Sequence, residues 1–251
     1  MGFLSGLFSK EACEICGKKE GVLGRTKLND GKFICSECRK ECSTFFQPVS
    51  YNIDQVKKHI EYMKLQEELY QKEYETISAE NKQNFYKTFS DGIIFADSIG
   101  MFEVITSTNK NQKHKELFRY DDIWDFKMYY KQAPEGSNRK YSEVGVKLKM
   151  MTEAPTGDYH TKHYVHKYAK EFTFPVERNV DNIEVGFLFK HLNEIMGINA
   201  GTVVGYNNVR TEYRNLVEVN KLFDRNKYAE LADAAEKRAW GKTGAEMFEG
   251  I

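Results

Sequence analysis

The chain has 251 residues, 41% of them hydrophobic and 14% aromatic, and its 37 basic and 37 acidic side chains cancel. That balance lacks the global basic excess that strong nonspecific nucleic-acid binding leaves. No run approaches the roughly 20 apolar residues of a membrane helix, so no integral membrane segment is expected, while the apolar content suffices to pack one large domain or two smaller ones.

The opening "MGFLSGLFSK" puts Phe3, Leu4, Leu7 and Phe8 on one face of a short helix. It is too short and broken for a signal-peptide core. It reads as a segment docking on the rest of the chain, or else as a membrane or partner foothold. Gly6 stands where a myristoylation pattern wants Ser or Thr.

Next come two C-x-x-C pairs, Cys13/Cys16 and Cys35/Cys38, with 18 residues between them. Two residues between cysteines let both thiolates point at one ion from a tight knuckle, and the longer gap lets a hairpin carry the second knuckle round. Four thiolates in a tetrahedral shell suit one structural zinc per chain and leave no open position for catalytic water. Gly17 follows the first knuckle, where the backbone must turn sharply. "GVLGRTKL" and "KFI" read as short strands joined at Asn29-Asp30-Gly31, and "CSECRKECSTFF" as a knuckle opening a helix. The module is therefore a zinc ribbon or treble clef. Disulfides are disfavoured without a signal peptide, and the expected compartment is cytoplasmic. Cys42 reads as a small buried hydrophobe in preference to a spare thiol.

"SYNIDQVKKHIEYMKLQEELYQKEYETI" places Ile53, Val56, Ile60, Met63, Tyr70, Tyr74 and Ile77 at three-four spacing, with only Glu67 breaking the stripe. Asn52 with Gln55 forms a capping-box pattern. The spacing predicts a linking helix of about seven turns at 3.6 residues each. From about Phe89 the period changes to strand-like runs: "DGIIFADSIGMFEVIT", "ELFRYDDIWDFKMYYK", "SEVGVKLKMM" and "AKEFTFPV". Polar loops separate them, which predicts an antiparallel meander bent into a barrel or sandwich. "DNIEVGFLFKHLNEIMG" predicts a closing helix with Val185, Leu188, Leu192 and Ile195 on one face and Gly197 as its stop.

Two further helical patterns, "NNVRTEYRNLVEVNKLF" and "NKYAELADAAEKRAW", form a C-terminal arm, with "GKTGAEMFEGI" expected as a loose tail. The arm's apolar faces need packing. They fold back over the zinc module and long helix, or pack on a second chain as a homo-oligomer, the latter being the expected outcome.

The cysteine module, followed by "STFFQP" and the capped helix, resembles an uncharacterised family of Gram-positive bacteria and their phages over roughly the first 80 residues. "GMFEVI…ELFRYDDIWDFKMYYK", with later strands and a closing helix, resembles the bacterial pleckstrin-homology-like fold. These resemblances imply zinc binding without an established activity, and a β domain of a kind that usually binds peptides, proteins or lipid head groups. The C-terminal arm falls outside both.

Outside the module, His160, His163 and His166 stand three apart. Pro155 and Gly157 favour a loop running into a strand, on which His163 faces away from the other two, so a second metal is not expected there. Lys110, Lys113 and Lys115 in one loop and Arg139 with Lys140 in the next are candidates for phosphate or an acidic peptide, against a solvated loop. Asp121 and Asp122, on a strand, point to opposite faces. Phosphate-loop, dinucleotide, metalloprotease and nucleophile-elbow motifs are missing from the sequence.

The expected architecture is α+β: N-terminal segment and zinc module (1–48), linking helical region (49–88), pleckstrin-homology-like β domain with closing helix (89–197) and helical arm (198–251). The expected function is a non-enzymatic one, binding another macromolecule, most often a protein. The alternative is nucleic-acid binding through the module's Lys18, Lys19, Arg25, Lys27, Lys32, Arg39 and Lys40, which Glu11, Glu14, Glu20, Asp30, Glu37 and Glu41 nearly offset.

Overall fold

The computed structural model describes residues 10–86, 92–106, 109, 111–138, 141–151, 167–174, 183–195 and 225–247. At the N-terminal end, β1 (Glu11–Ala12) pairs with β2 (Lys19–Glu20) across the first knuckle, and β3 (Arg25–Lys27) pairs with β4 (Phe33–Cys35). The predicted turn closes the second hairpin, Leu28 N donating to Lys32 O at 2.8 Å and Gly31 N to Leu28 O at 3.1 Å. The first half of "GVLGRTKL" is not strand: Val22–Gly24 form a 3-10 turn that leaves Leu23 fully exposed. The short helix α1 (Ser36–Lys40) starts on Cys35, whose sulfur accepts from Cys38 N at 3.4 Å.

The linking helix α2 (Ile53–Leu69) begins at the predicted capping box. Asn52 Oδ1 accepts from Gln55 N at 2.9 Å, and Gln55 Oε1 accepts from Asn52 N at 3.1 Å. Asp30 in the hairpin turn accepts from Ile53 N at 3.0 Å, so the zinc-module turn caps the same helix. Asn52→Ala should cost about 1 kcal/mol of stability; an unchanged denaturation midpoint would contradict this. Ile53, Val56, Ile60 and Met63 are buried as the stripe predicts, but so are His59, Tyr62, Gln66 and Leu69. The α-helix is shorter than predicted. Tyr70–Tyr74 form a π turn, with Glu75 N donating to Tyr70 O, five residues back, at 2.8 Å. The extra residue in that turn re-aims the chain so that Tyr74 is buried.

Two antiparallel sheets follow. β5 (Gln83–Tyr86), β6 (Gly92–Ala96), β7 (Met101–Ile105) and β8 (Phe118–Arg119) form one in sequential order. β9 (Ile123–Gln132), β10 (Tyr141–Met151) and β11 (Lys167–Phe174) form the other. Among the described residues neither sheet closes into a barrel. The fold is thus mixed α+β with small antiparallel sheets and a four-cysteine cluster. β5 falls in the stretch read as helical, ahead of the expected change of period. The 3-10 turn Tyr120–Asp122 corrects the strand reading of Asp121 and Asp122.

Helix α3 (Ile183–Ile195) packs Leu188, Leu192 and Ile195 against Ile93, Phe95, Phe102, Phe118, Tyr120 and Leu148. Burial of these side chains contributes on the order of 1.5–3 kcal/mol each. Helix α4 (Arg225–Trp240) lies on its own chain. Its Ala232, Ala235 and Ala239 are buried against Leu69, Tyr74, Ala96 and Met101, and Trp240 packs against the cluster shared by the zinc module and α2. For this helix the structure shows the fold-back alternative; residues 198–224, with the face built on Val209, Tyr213, Leu216 and Val217, lie outside the described residues. The expected loose tail contains a short helix, α5 (Gly244–Met247). Thr243 caps it, accepting from Glu246 N at 3.2 Å while Glu246 accepts from Thr243 N at 2.6 Å. Among the described residues no helix is long and apolar enough to cross a membrane.

Candidate metal centre

Cys13, Cys16, Cys35 and Cys38 bring their sulfur atoms together, all within 4.8 Å of one another. The local backbone explains this. Cys13 N donates to Lys18 O at 2.9 Å and Gly17 N to Cys13 O at 2.8 Å, which folds the first knuckle back on itself. Gly17 sits at φ +74°, a conformation that a side chain would strain. Glu14 N donates to Phe33 O at 2.9 Å and ties the first knuckle to β4, which carries Cys35. Cys16 and Cys35 sulfurs are 3.6 Å apart. Every cysteine is a free thiol, so the disulfide alternative does not describe this arrangement.

The donor set fits a cation. Burial, the largest influence on Cys13, pushes its thiol up, but the N–H groups of Cys16, Cys35 and Ile15 together outweigh it and hold the thiol down at about 6. Cys38 moves the other way, pushed far up by burial and then by the three neighbouring sulfurs. Backbone donors thus aim at sulfur while four thiols crowd one point, and a bound cation relieves that crowding by favouring all four thiolates. Cys13, Cys35 and Cys38 are buried and Cys16 is exposed. Cys42 lies outside the set, buried, its thiol pushed up to about 12 by burial.

The centre is braced from the sheet side. Ser43, just beyond α1, donates through N to His59 Nε2 at 3.1 Å and through Oγ to Glu116 at 2.5 Å. His59 stacks on Phe46, ring centroids 3.9 Å apart. Thr44 N donates to Gln112 Oε1 at 2.8 Å, and Glu41 pairs with Lys113 and, at 2.9 Å, with His114. From α2, Gln66 accepts from Leu117 N at 2.9 Å and Glu67 from Lys115 N at 2.6 Å. The loop before β8 is therefore clamped between the module and α2. Sequence reasoning missed His59, Tyr62 and Gln66 because their partners lie far along the chain.

The other candidates fare differently. Lys113 is paired with Glu41, and Lys115 lies 3.7 Å from Glu103 and over the Tyr70 ring. These two lysines face carboxylates of their own chain rather than gathering at one end. Lys110, Arg139, Lys140 and the His160/His163/His166 cluster lie outside the described residues. A site the sequence did not signal lies between β5 and α3, where a cleft of about 460 Å³ is lined by Gln83, Asn84 and Phe85 on one side and Phe187, Lys190 and His191 on the other. At its base His191 lies 3.2 Å from Asp97, which also accepts from Tyr120 and from Gln83 at 2.6 Å. Burial pushes the His191 imidazole down, but Asp97 and Glu194 together more than offset this and raise it.

Residues 11–59 match a family model described as a domain of unknown function, DUF4428. The match spans both knuckles, α1 and the capped start of α2. Among curated proteins and among solved structures, nothing matches.

Proposed function

We propose that the chain is a zinc-containing, non-enzymatic interaction protein whose partner is another protein. Zinc is the metal of choice for a closed set of four thiolates at this spacing, one ion per chain, in a structural role. A four-thiolate site needs its cysteines reduced, which supports a cytoplasmic setting. The pleckstrin-homology-like reading draws support from the order of four consecutive strands, three consecutive strands and a helix packed across both sheets.

The observation that carries the protein-binding reading is the cleft beside β5. Among the described residues β5 ends its sheet, hydrogen-bonded to β6 on one side. An extended peptide can add to such an edge through its main chain and seat a side chain in a neighbouring groove. Phe187 stands at the groove, 41% exposed, opposite Phe85. The charges there are matched within the chain, Lys190 with Glu194 at 3.5 Å and His191 with Asp97, so a neutral apolar segment suits it better than a polyanion. In the zinc module, Lys18, Arg25 and Lys40 pair with Glu20, Glu11 and Glu37, which weakens the nucleic-acid alternative.

The test is affinity capture from the native host, comparing the intact chain with Phe187→Asp, read by mass spectrometry. A protein retained by the first and lost by the second, at equal thermal stability, is the expected result. Equal retention by both would remove the cleft from the proposal. A DNA or RNA titration whose affinity falls steeply with salt would put the nucleic-acid reading in its place.

A further inference from the structure

The seat of α4 on the sheet gathers more acidic than basic side chains, two of the carboxyl groups, Asp122 and Glu236, being buried. Arg119, at the end of β8, points its guanidinium into the joint with α4 and is only 14% exposed. Around it stand four carboxyl groups. Nε donates to Asp121 at 2.9 Å, Nη2 to Asp233 at 2.5 Å and Nη1 to Glu236 at 3.4 Å, while Asp122 accepts from the Arg119 backbone N at 3.0 Å. Glu236 is the innermost on α4, 2% exposed, and it also accepts from Gly244 N at 2.6 Å, just after the helix ends. Asp121 and Asp233 keep contact with water, at 34% and 46% exposure, but Asp122 and Glu236 are buried, and a guanidinium already engaged by the two outer carboxylates compensates the inner ones poorly.

We propose that docking of α4 is linked to a proton: Glu236 binds one when the helix is seated and gives it up when the helix lifts away. Two features of the geometry carry this. Glu236 sits at the far reach of Arg119, behind Asp121 and Asp233, which make the shorter contacts. Among the described residues, the other titratable groups facing it are Asp122 on the sheet side and Tyr62 on α2, neither of which brings a positive charge.

The sign follows from the side chain's surroundings. Burial first, opposed by Arg119 and the Gly244 N–H and reinforced by Asp121 and Asp233, pushes the Glu236 carboxyl up to about 7. Once the helix lifts, the carboxyl returns to the ordinary carboxylate range. Between that range and about pH 7 the seated state holds a proton that the lifted state lacks, so docking strengthens as pH falls from 8 to 6. Asp122, raised by burial and then by Asp121, acts in the same direction. Glu246 acts oppositely, its carboxylate favoured by the Thr243 N–H, but only below the ordinary carboxylate range. A device of this kind makes the arm's attachment responsive to pH around neutrality.

Hydrogen–deuterium exchange of the full-length, metal-loaded chain tests it, with rates in 225–247 corrected for the intrinsic effect of pH. Protection at pH 6 should exceed that at pH 8 by about tenfold, the factor expected for one carboxyl moved from the ordinary range to about 7. In Glu236→Gln the dependence should fall to the part that Asp122 contributes, and protection at pH 8 should rise toward the pH 6 level. Equal protection of the natural chain at both pH values would overturn the proposal, as would an undiminished dependence in Glu236→Gln. Loss of docking in that variant at every pH would also overturn it, since it would mean that the charged carboxylate does the holding. Carbon-13 titration of the Glu236 carboxyl in the ordinary range is a fourth disproof, independent of any variant.

Discussion

Removing the metal should unfold the N-terminal quarter of the chain and leave the sheet of β5 to β8 standing. Structural zinc sites contribute on the order of 10–16 kcal/mol of apparent binding energy in small peptides at neutral pH, more than the few small strands of the module can supply by packing. Cys35→Ser is the sharpest version, because Cys35 ends β4, caps α1 and offers a sulfur to the centre. The damage should not stop at the module. Leu28, Ile34 and Phe46 share one apolar cluster with Ile53, Val56, Ile60 and Met63, so the first half of α2 loses its footing too. Amide exchange should become fast over 11–63, and the loop before β8 should loosen as its clamp opens, while β6 and β7 stay protected. Elemental analysis should find one metal per chain in protein purified without chelator. A metal-free yet well-protected module would refute both statements.

The second large effect is expected at Gly100. It lies at φ +65°, between a 3-10 turn and β7, where any side chain costs about 1–2 kcal/mol of backbone strain. A Cβ there would also stand 2.2 Å from Tyr228 O and 2.9 Å from its carbonyl carbon. Those are backbone atoms near the start of α4, so no rotamer change relieves the overlap; the helix itself must move. Gly100→Ala should therefore unseat the N-terminal half of α4 and separate Tyr228 from Tyr120, whose rings are 5.3 Å apart. The C-terminal half keeps its hold through Arg238, which reaches Glu73 twice at 2.9 Å. Proteolysis at the exposed lysine Lys227 should rise sharply while that after Lys237 changes less. A variant with unaltered cleavage and melting would show that the close approach carries no weight.

These two sites were unequally visible in the amino-acid sequence, for a physical reason. The four cysteines and the Asn52–Gln55 capping box are legible because their geometry is local: the spacing itself places the atoms. The apolar face of α3 is legible for the same reason, with Leu188, Leu192 and Ile195 repeating at helical period. What was not legible depends on partners distant in the chain. His59 and Gln66 look like solvent residues until Ser43 and Leu117 supply their hydrogen bonds. β5 carries Gln83 and Asn84, so composition conceals a strand that exists because β6 pairs with it. Asp122 is buried in a turn rather than displayed on a strand, and Arg119 draws acidic partners from α4 more than a hundred residues later. The arm's fold-back was undecidable from an apolar face alone, since such a face fits its own chain or a copy equally well.

The π turn at Tyr70–Tyr74 makes the winding of the backbone, rather than side-chain identity, the sensitive variable at that point. Replacing a residue there alters one contact. Rewinding the same residues as an ordinary α-helix, with Glu75 N no longer reaching back to Tyr70 O, would rotate everything beyond the turn by about 100°, the angle between successive residues. Tyr74 would swing out of the cluster it shares with Met101 and Ala235, and the strand that follows would arrive out of phase with β6. The turn works as a one-residue spacer that brings a helix with a 3.6-residue beat into step with a sheet that counts in twos.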